Sequence, residues 1–92
     1  MNNTSSTTYI FAIYGGLKLA DSQAEIMLTS SNDTDRINYR TLAKSTILTT
    51  FKIAMEYTSE PRHYIEKVIQ DYSIKEKEVI KYLLDEAIED NE

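Results

Sequence analysis

The sequence predicts a small α+β domain, in which an N-terminal β-hairpin is followed by three helices. Three observations lead to this prediction. A β-branched and aromatic run ends at a pair of glycines, a long segment contains no glycine or proline, and two later segments repeat their apolar residues at helical spacing. An all-α helical bundle is the alternative, which applies if residues 20–30 form a helix rather than a strand.

The β-hairpin is predicted from residues 7–29. The run 7–14 is rich in β-branched and aromatic residues and is apolar on both sides, which is typical of a buried strand. Gly15 and Gly16 then supply the positive φ angles of a tight turn. A second apolar run, 24–29, is the candidate for the returning strand. The periodicity leaves strand and helix open here, because four residues also share one helical side: Ala20, Ala24, Met27 and Leu28.

The first predicted helix covers residues 34–57. Its apolar residues fit both an alternating strand and a helical stripe, but the length of the segment and its lack of Gly and Pro favour a helix. Asn32 and Asp33 precede the segment and are suitable N-cap residues. Asp35 falls in the predicted first turn, where a carboxylate stabilises the positive end of the helix dipole.

Two further helices are predicted in the last third of the chain. Ser59 is a candidate N-cap and Pro61 is tolerated in a first turn, so a helix is expected to begin there. The last helix is predicted from a capping box, in which Ser73 is the N-cap and Glu76 follows three residues later. Both segments carry apolar stripes at helical spacing: Tyr64, Ile65, Val68, Ile69 and Tyr72 in the first, and Val79, Ile80, Leu83, Leu84, Ala87 and Ile88 in the second.

The length of 92 residues leaves room for one domain. We expect residues 1–6 to form a flexible arm, residues 7–89 the domain, and residues 90–92 a frayed acidic tail, because carboxylates at a helix C-terminus oppose the helix dipole. The lack of cysteine fits a reducing compartment, and no apolar run is long enough for a signal peptide or a membrane span. A cytoplasmic protein is therefore predicted, and a homodimer would extend its small core.

The residue inventory predicts a protein that is not an enzyme and that needs neither a cofactor nor a metal. His63 is the single histidine, there is no cysteine, and Gly15 and Gly16 are the only glycines, so no glycine-rich phosphate loop is present. Glu60 and His63 match the Glu-x-x-His pattern of di-iron bundles, but such a site needs a second copy of that pattern.

Two charged clusters are the candidate partner-binding residues. Basic residues spaced by four, with a tyrosine among them, make up the first cluster: Arg36, Tyr39, Arg40 and Lys44. The net charge of −5 is concentrated at the C-terminus, which supplies the second cluster: Asp85, Glu86, Glu89 and Asp90. Each cluster suits an oppositely charged protein surface. The alternatives are internal pairing of the basic residues with Asp33, Asp35 or the acidic end, and an acidic end that only aids solubility.

These observations favour a small non-enzymatic regulator or inhibitor that acts by binding a protein partner. The alternative is a helix-turn-helix DNA-binding regulator that uses the helix pair 64–84. In that case Lys75, Lys77 and Lys81 would approach the DNA, and a dimer would combine two weak half-sites. Against it, these lysines alternate with glutamates, which weakens the attraction to phosphates, and the turn has Ser73 and Ile69 where Gly and Ala are usual.

Overall fold

The protein folds as four helices in the computed structural model, which describes residues 5–91. The helices are α1 (Ser6–Thr29), α2 (Asp33–Tyr57), α3 (Pro61–Asp71) and α4 (Lys77–Asp90). The two long helices α1 and α2 are joined by three residues and share the most extensive contact in the molecule. They form an antiparallel pair, against which α3 and α4 pack. The molecule is elongated, with a longest dimension of 47 Å.

The predicted β-hairpin is wrong, because residues 5–91 contain no strand and the segment 6–29 is one continuous helix. The α+β prediction is therefore corrected to an all-helical fold, in which residues 20–30 continue α1 and end it. The misleading signal was the run 7–14, which is apolar on both sides. In the helix, Ile13 is completely buried, whereas Phe11 is 69% exposed on the other side. A helix with two apolar sides resembles a buried strand when only the sequence is read.

Gly16 allows α1 and α2 to approach closely. A Cβ atom at this position would lie 2.1 Å from Oγ1 and 3.2 Å from Cβ of Thr50, which is itself buried on α2. The predicted role of Gly15 and Gly16 in a tight turn is wrong, since no described residue has a positive φ. The close approach requires a residue without a side chain at position 16. Four alanines of α1 and α2 are also fully buried: Ala20, Ala24, Ala43 and Ala54.

The helix predicted at 34–57 is confirmed, since α2 covers Asp33–Tyr57. Its N-cap is Asn32, whose side-chain oxygen accepts a hydrogen bond from the backbone N–H of Asp35 at 3.1 Å. This bond satisfies one of the unpaired N–H groups of the first turn. Asp33 is the first helical residue, and Asp35 lies in the first turn as expected.

The last two helices are present, but their predicted starts need correction. Pro61 is at the first position of α3, whereas Glu60 rather than Ser59 occupies the N-cap and makes no side-chain capping bond. The capping box at Ser73 does not form either, because α4 begins at Lys77. In both cases the preference of serine for the N-cap position predicted a helix start that lies before the observed one.

Asp21 of α1 binds the two backbone N–H groups that lie two and three residues after Ser73, where a Ser73 cap would have bonded. Its carboxylate accepts hydrogen bonds from the backbone N–H groups of Lys75 at 2.9 Å and Glu76 at 2.8 Å. Lys18, one turn earlier, donates to the carbonyl of Ser73 at 2.8 Å. Ile74, between these residues, is 3% exposed and belongs to the core. The connection 72–76 is thus held by α1, which a local sequence rule does not detect.

The predicted arm and tail overlap the ends of the helices. Residues 1–4 of the arm lie outside the described residues, whereas Ser5 is the N-cap of α1 and accepts from the backbone N–H of Thr8 at 3.2 Å. At the other end, α4 continues to Asp90 and Asn91 is its C-cap. Glu92 of the predicted tail lies outside the described residues.

Candidate functional site

The basic and acidic clusters predicted as two separate docking surfaces contact each other. Arg40 of α2 donates from Nη2 to both carboxylate oxygens of Glu86 on α4, at 2.6 and 2.7 Å. Lys44 donates to the same carboxylate at 3.1 Å and is also paired with Asp90. Four of the predicted partner-binding residues therefore form one ion-pair cluster between α2 and α4. The internal pairing weighed as an alternative describes this arrangement.

The ion-pair cluster changes the acidity of its members. Hydrogen bonds from Arg40 and then Lys44 lower the pKa of Glu86 to about 2. The hydrogen bond with Glu86 raises the pKa of Arg40. Hydrogen bonds with Asp90 and Glu86 raise the pKa of Lys44. All these shifts favour the charged forms. Arg40, Lys44 and Glu86 are therefore charged at neutral pH, and their charges are compensated within the protein.

The remaining candidates of the two clusters lie outside this ion-pair cluster. Arg36 is paired with Asp33 and donates to the carbonyl of Ser30 at 2.7 Å, so it closes the α1–α2 connection. Tyr39 is half-buried on α2. Asp85 is paired with Arg62 of α3, and Glu89 is exposed near the end of α4. Only part of each predicted surface is therefore open to a partner.

The lysines of the DNA-binding alternative lie around the start of α4. Lys75 is exposed in the α3–α4 connection, and its Nζ is 3.8 Å from a carboxylate oxygen of Glu25 on α1. Lys77 and Lys81 are half-buried on α4. They border a shallow surface depression, which Glu76 and Glu78 line as well: its residues are Gln70, Lys75, Glu76, Lys77, Glu78, Val79 and Lys81. Cations and carboxylates are thus mixed over this surface.

An apolar groove between α1 and α3 was missed by the sequence analysis. We call it the aromatic groove; its lining residues are Ile10, Phe11, Tyr14, Tyr64, Val68 and Tyr72, and its volume is about 280 Å³. The rings of Tyr14 and Tyr72 are 5.0 Å apart, so they connect the two sides. Tyr72 is 50% exposed and Phe11 is 69% exposed. Large apolar side chains thus remain open to solvent at this site.

Tyr64 of the aromatic groove also contacts a ring outside the groove lining. Tyr57 at the end of α2 contacts Tyr64 at 5.3 Å and Tyr9 at 5.5 Å between ring centroids. Burial raises the pKa of Tyr64, and the neighbouring Tyr57 and Tyr72 add to the increase. The Tyr64 phenol therefore remains neutral throughout the physiological range. These contacts hold the walls of the groove in place.

The sequence contains part of the signal for this groove. Residues 64, 68 and 72 share one helical side, as do residues 10 and 14, and the spacing alone indicates two apolar stripes. It does not indicate that the stripes fail to close on one another. Because residues 7–14 were predicted as a strand, these residues were not placed beside α3.

Neither a metal-binding cluster nor a membrane-spanning helix is found among the described residues. Over residues 5–91, no group of three or more His, Cys, Asp or Glu side chains is arranged to hold a metal ion. In the same range, no helix combines the length and apolar character needed to cross a membrane. His63 is exposed on α3.

Comparison with known proteins found no match for the chain among family models, curated proteins or solved structures.

Proposed function

We propose that the protein is a small non-enzymatic regulator that acts by binding a protein partner, and that the aromatic groove is the binding site. The occupant is the apolar side of a basic amphipathic helix. One observation carries this proposal: α1 and α3 leave a groove lined by apolar and aromatic side chains, at which Tyr72 remains half-exposed.

The composition of the groove supports a protein rather than a small molecule as its ligand. Tyrosine is enriched in the residues that dominate protein interfaces, because a rigid ring buries a large area while its hydroxyl stays hydrated. The volume of about 280 Å³ is below the usual range for cofactor sites, roughly 300–1,000 Å³, and suits one or two large apolar side chains. No charged side chain lines the groove to orient a cofactor.

The charge of the protein supports a basic partner. The chain carries a net charge of −5, and Asp71 is exposed at the end of α3, one helical turn from Val68. The C-terminal end of α3 also presents the negative end of its helix dipole. Both features attract Lys or Arg residues that flank the inserted apolar residues, and such charges mainly accelerate association.

The DNA-binding alternative has less support from the geometry. A DNA-binding surface gains most of its affinity from cations that face phosphates. Around the start of α4, Lys75 is near Glu25, and Glu76 and Glu78 lie among the other lysines. Binding of a protein partner is therefore the function that the geometry supports best.

Site-specific photo-crosslinking tests the proposal. Benzoylphenylalanine introduced at position 72 places the reactive group at the groove, and the same group at position 82 is the control. Tyr82 is 61% exposed on α4, so the two positions are matched in residue type and in exposure. A partner of the groove should crosslink at position 72 and not at position 82.

The partner identified by the crosslink is then prepared separately, and its affinity for the protein without the crosslinking group is measured by calorimetry at low and moderate salt. Tyr72→Ala should weaken binding about 30-fold or more, the range of a hot-spot residue, whereas Tyr82→Ala should leave binding unchanged. The same affinity for both variants, or crosslinks that do not distinguish the two positions, would reject the groove as the site. Thermal unfolding of each variant shows whether its fold is retained.

A further inference from the structure

The outer side of α1 carries an apolar stripe that nothing in the chain covers over residues 5–91. Three large side chains on it are exposed: Phe11 at 69%, Leu19 at 53% and Ile26 at 42%. Gly15 and Ser22 lie between them and are exposed as well. The spacing of four, four, three and four residues places all five on one side of the helix. We call these five residues the outer stripe.

The outer stripe differs from the scattered apolar residues found on most protein surfaces, because it lies on a helix whose other side is also apolar. The opposite side of α1 already forms the core, through Ile13, Leu17 and Ala20. A helix that is apolar on both sides is typical of one that is buried on both sides. On α2, by contrast, Ile37 and Met55 are exposed on one side but lie about five turns apart, and the exposed Leu42 lies on another side.

The order of residue sizes in the outer stripe reads the same in both directions: large, small, large, small, large. We infer that a second copy of this chain packs antiparallel on the outer stripe, with a two-fold axis beside Leu19. In this arrangement Phe11 of each copy contacts Ile26 of the other, Gly15 faces Ser22, and the two Leu19 side chains meet. Such self-complementarity is what a two-fold interface requires, since the same surface must fit itself.

The small residues permit close approach of the two helices. A Cβ atom at position 15 would have no neighbour within 4 Å, so the space above Gly15 is open to a side chain of the other copy. From their exposed fractions, the three large side chains of both copies would bury about 600 Å² together. This is about half of the ~1,200 Å² found in small stable interfaces, and the backbone and flanking residues must supply the rest.

The charges of α1 favour a second copy over a membrane surface. Helices that lie on membranes carry several Lys or Arg residues beside their apolar side. Lys18 is the one basic residue of α1, its ammonium group donates to the carbonyl of Ser73, and the chain as a whole carries −5. Anionic lipids would repel such a protein.

Sedimentation equilibrium with matched variants tests the dimer. The wild-type protein should have twice the 10.6 kDa mass of the chain at micromolar concentrations. Leu19→Asp should raise the dissociation constant at least about 100-fold, because two carboxylates would face each other at the two-fold axis. Leu42→Asp is the control: Leu42 is 48% exposed on α2, outside the outer stripe, and this variant should remain a dimer.

Disulfide trapping tests the orientation, and the lack of native cysteine makes the result unambiguous. Phe11→Cys and Ile26→Cys variants are mixed in equal amounts and oxidised. The antiparallel dimer should yield the mixed disulfide between the two variants. Disulfides formed only between two copies of the same variant would indicate parallel packing and overturn the inference.

Two other results would also overturn the inference. One is a wild-type protein that stays monomeric at several hundred micromolar, and the other is Leu19→Asp and Leu42→Asp weakening the dimer equally. Binding of the wild-type protein, but not of Leu19→Asp, to anionic lipid vesicles would assign the outer stripe to a membrane instead. Leu19 and Leu42 do not line the aromatic groove, so the sedimentation results are independent of the proposed function. Phe11 belongs to both surfaces, so Phe11→Cys is used only to test the orientation of the dimer.

Discussion

Adding one methyl group at two adjacent glycines should have opposite effects on stability. Gly15→Ala replaces a solvent-facing helical glycine, where a Cβ atom meets nothing within 4 Å. Alanine is favoured over glycine within a helix by about 1 kcal/mol, so we expect the free energy of unfolding to rise by that amount. Both variants are made together with Leu19→Asp, so that the comparison concerns the monomer.

Gly16→Ala has the same helical preference but a clash with α2. The new Cβ atom would lie 2.1 Å from Oγ1 and 3.2 Å from Cβ of Thr50. Thr50 cannot rotate freely, because its hydroxyl donates to the carbonyl of Thr46 at 2.8 Å. Overpacking costs about 1–3 kcal/mol, and loss of this hydrogen bond adds about 1 kcal/mol. After the gain in helical preference, we expect a net destabilisation of about 1–3 kcal/mol.

The assay is thermal and urea unfolding followed by circular dichroism. The two alanine variants should differ by about 2–4 kcal/mol, which corresponds to about 10 °C or more in Tm for a domain of this size. Thr50→Ala should restore part of the stability of Gly16→Ala and should not interact with Gly15→Ala, because only the first pair is in contact. Equal Tm values for the two glycine variants would refute the close approach of α1 and α2 at Gly16.

Three further predictions follow from particular contacts. Asp21→Ala should lower the free energy of unfolding by about 2–3 kcal/mol in urea, because two backbone N–H groups of the 72–76 connection lose their acceptor, and an unchanged midpoint would contradict this role. The lowered pKa of Glu86, about 2 against 4.5, contributes stability above pH 4.5 that is lost as the pH falls towards 2. Urea midpoints between pH 7 and 3 should therefore fall less in Glu86→Gln than in the wild type, and equal slopes would count against the ion pairs. In fluorescence anisotropy, a mixed-sequence DNA duplex should show no binding even at roughly 50 mM salt; binding that weakens steeply at roughly 200 mM would favour the helix-turn-helix alternative.

The parts of the fold that could be predicted from the sequence are those governed by local rules. The length of the 34–57 segment and the Asn32 cap identified α2, and Pro61 marked the first turn of α3. The Ser73 capping box failed because a contact distant in sequence replaces it: Asp21 is 54 residues from Lys75. A local rule cannot weigh a cap that comes from another helix.

The candidate site shows the same division between local pattern and distant contact. The basic and acidic clusters were recognisable from charge alone, but their mutual pairing joins Arg40 to Glu86 across 46 residues. Only the packing of α4 on α2 brings them together. The aromatic groove depends in turn on where α1 and α3 fail to close, which is a property of the tertiary structure and not of either stripe.

The feature that misled the fold prediction is also the reason to expect a second copy. Residues 7–14 resembled a buried strand because they are apolar on both sides. In the monomer only one of those sides is buried, at Ile13 and Leu17, and Phe11 and Leu19 remain exposed. The proposed dimer would cover the exposed side as well, because the outer stripe of another copy matches it in size order. The run 7–14 therefore indicated two apolar sides correctly but predicted the wrong element, and burial of the second side depends on the proposed dimer.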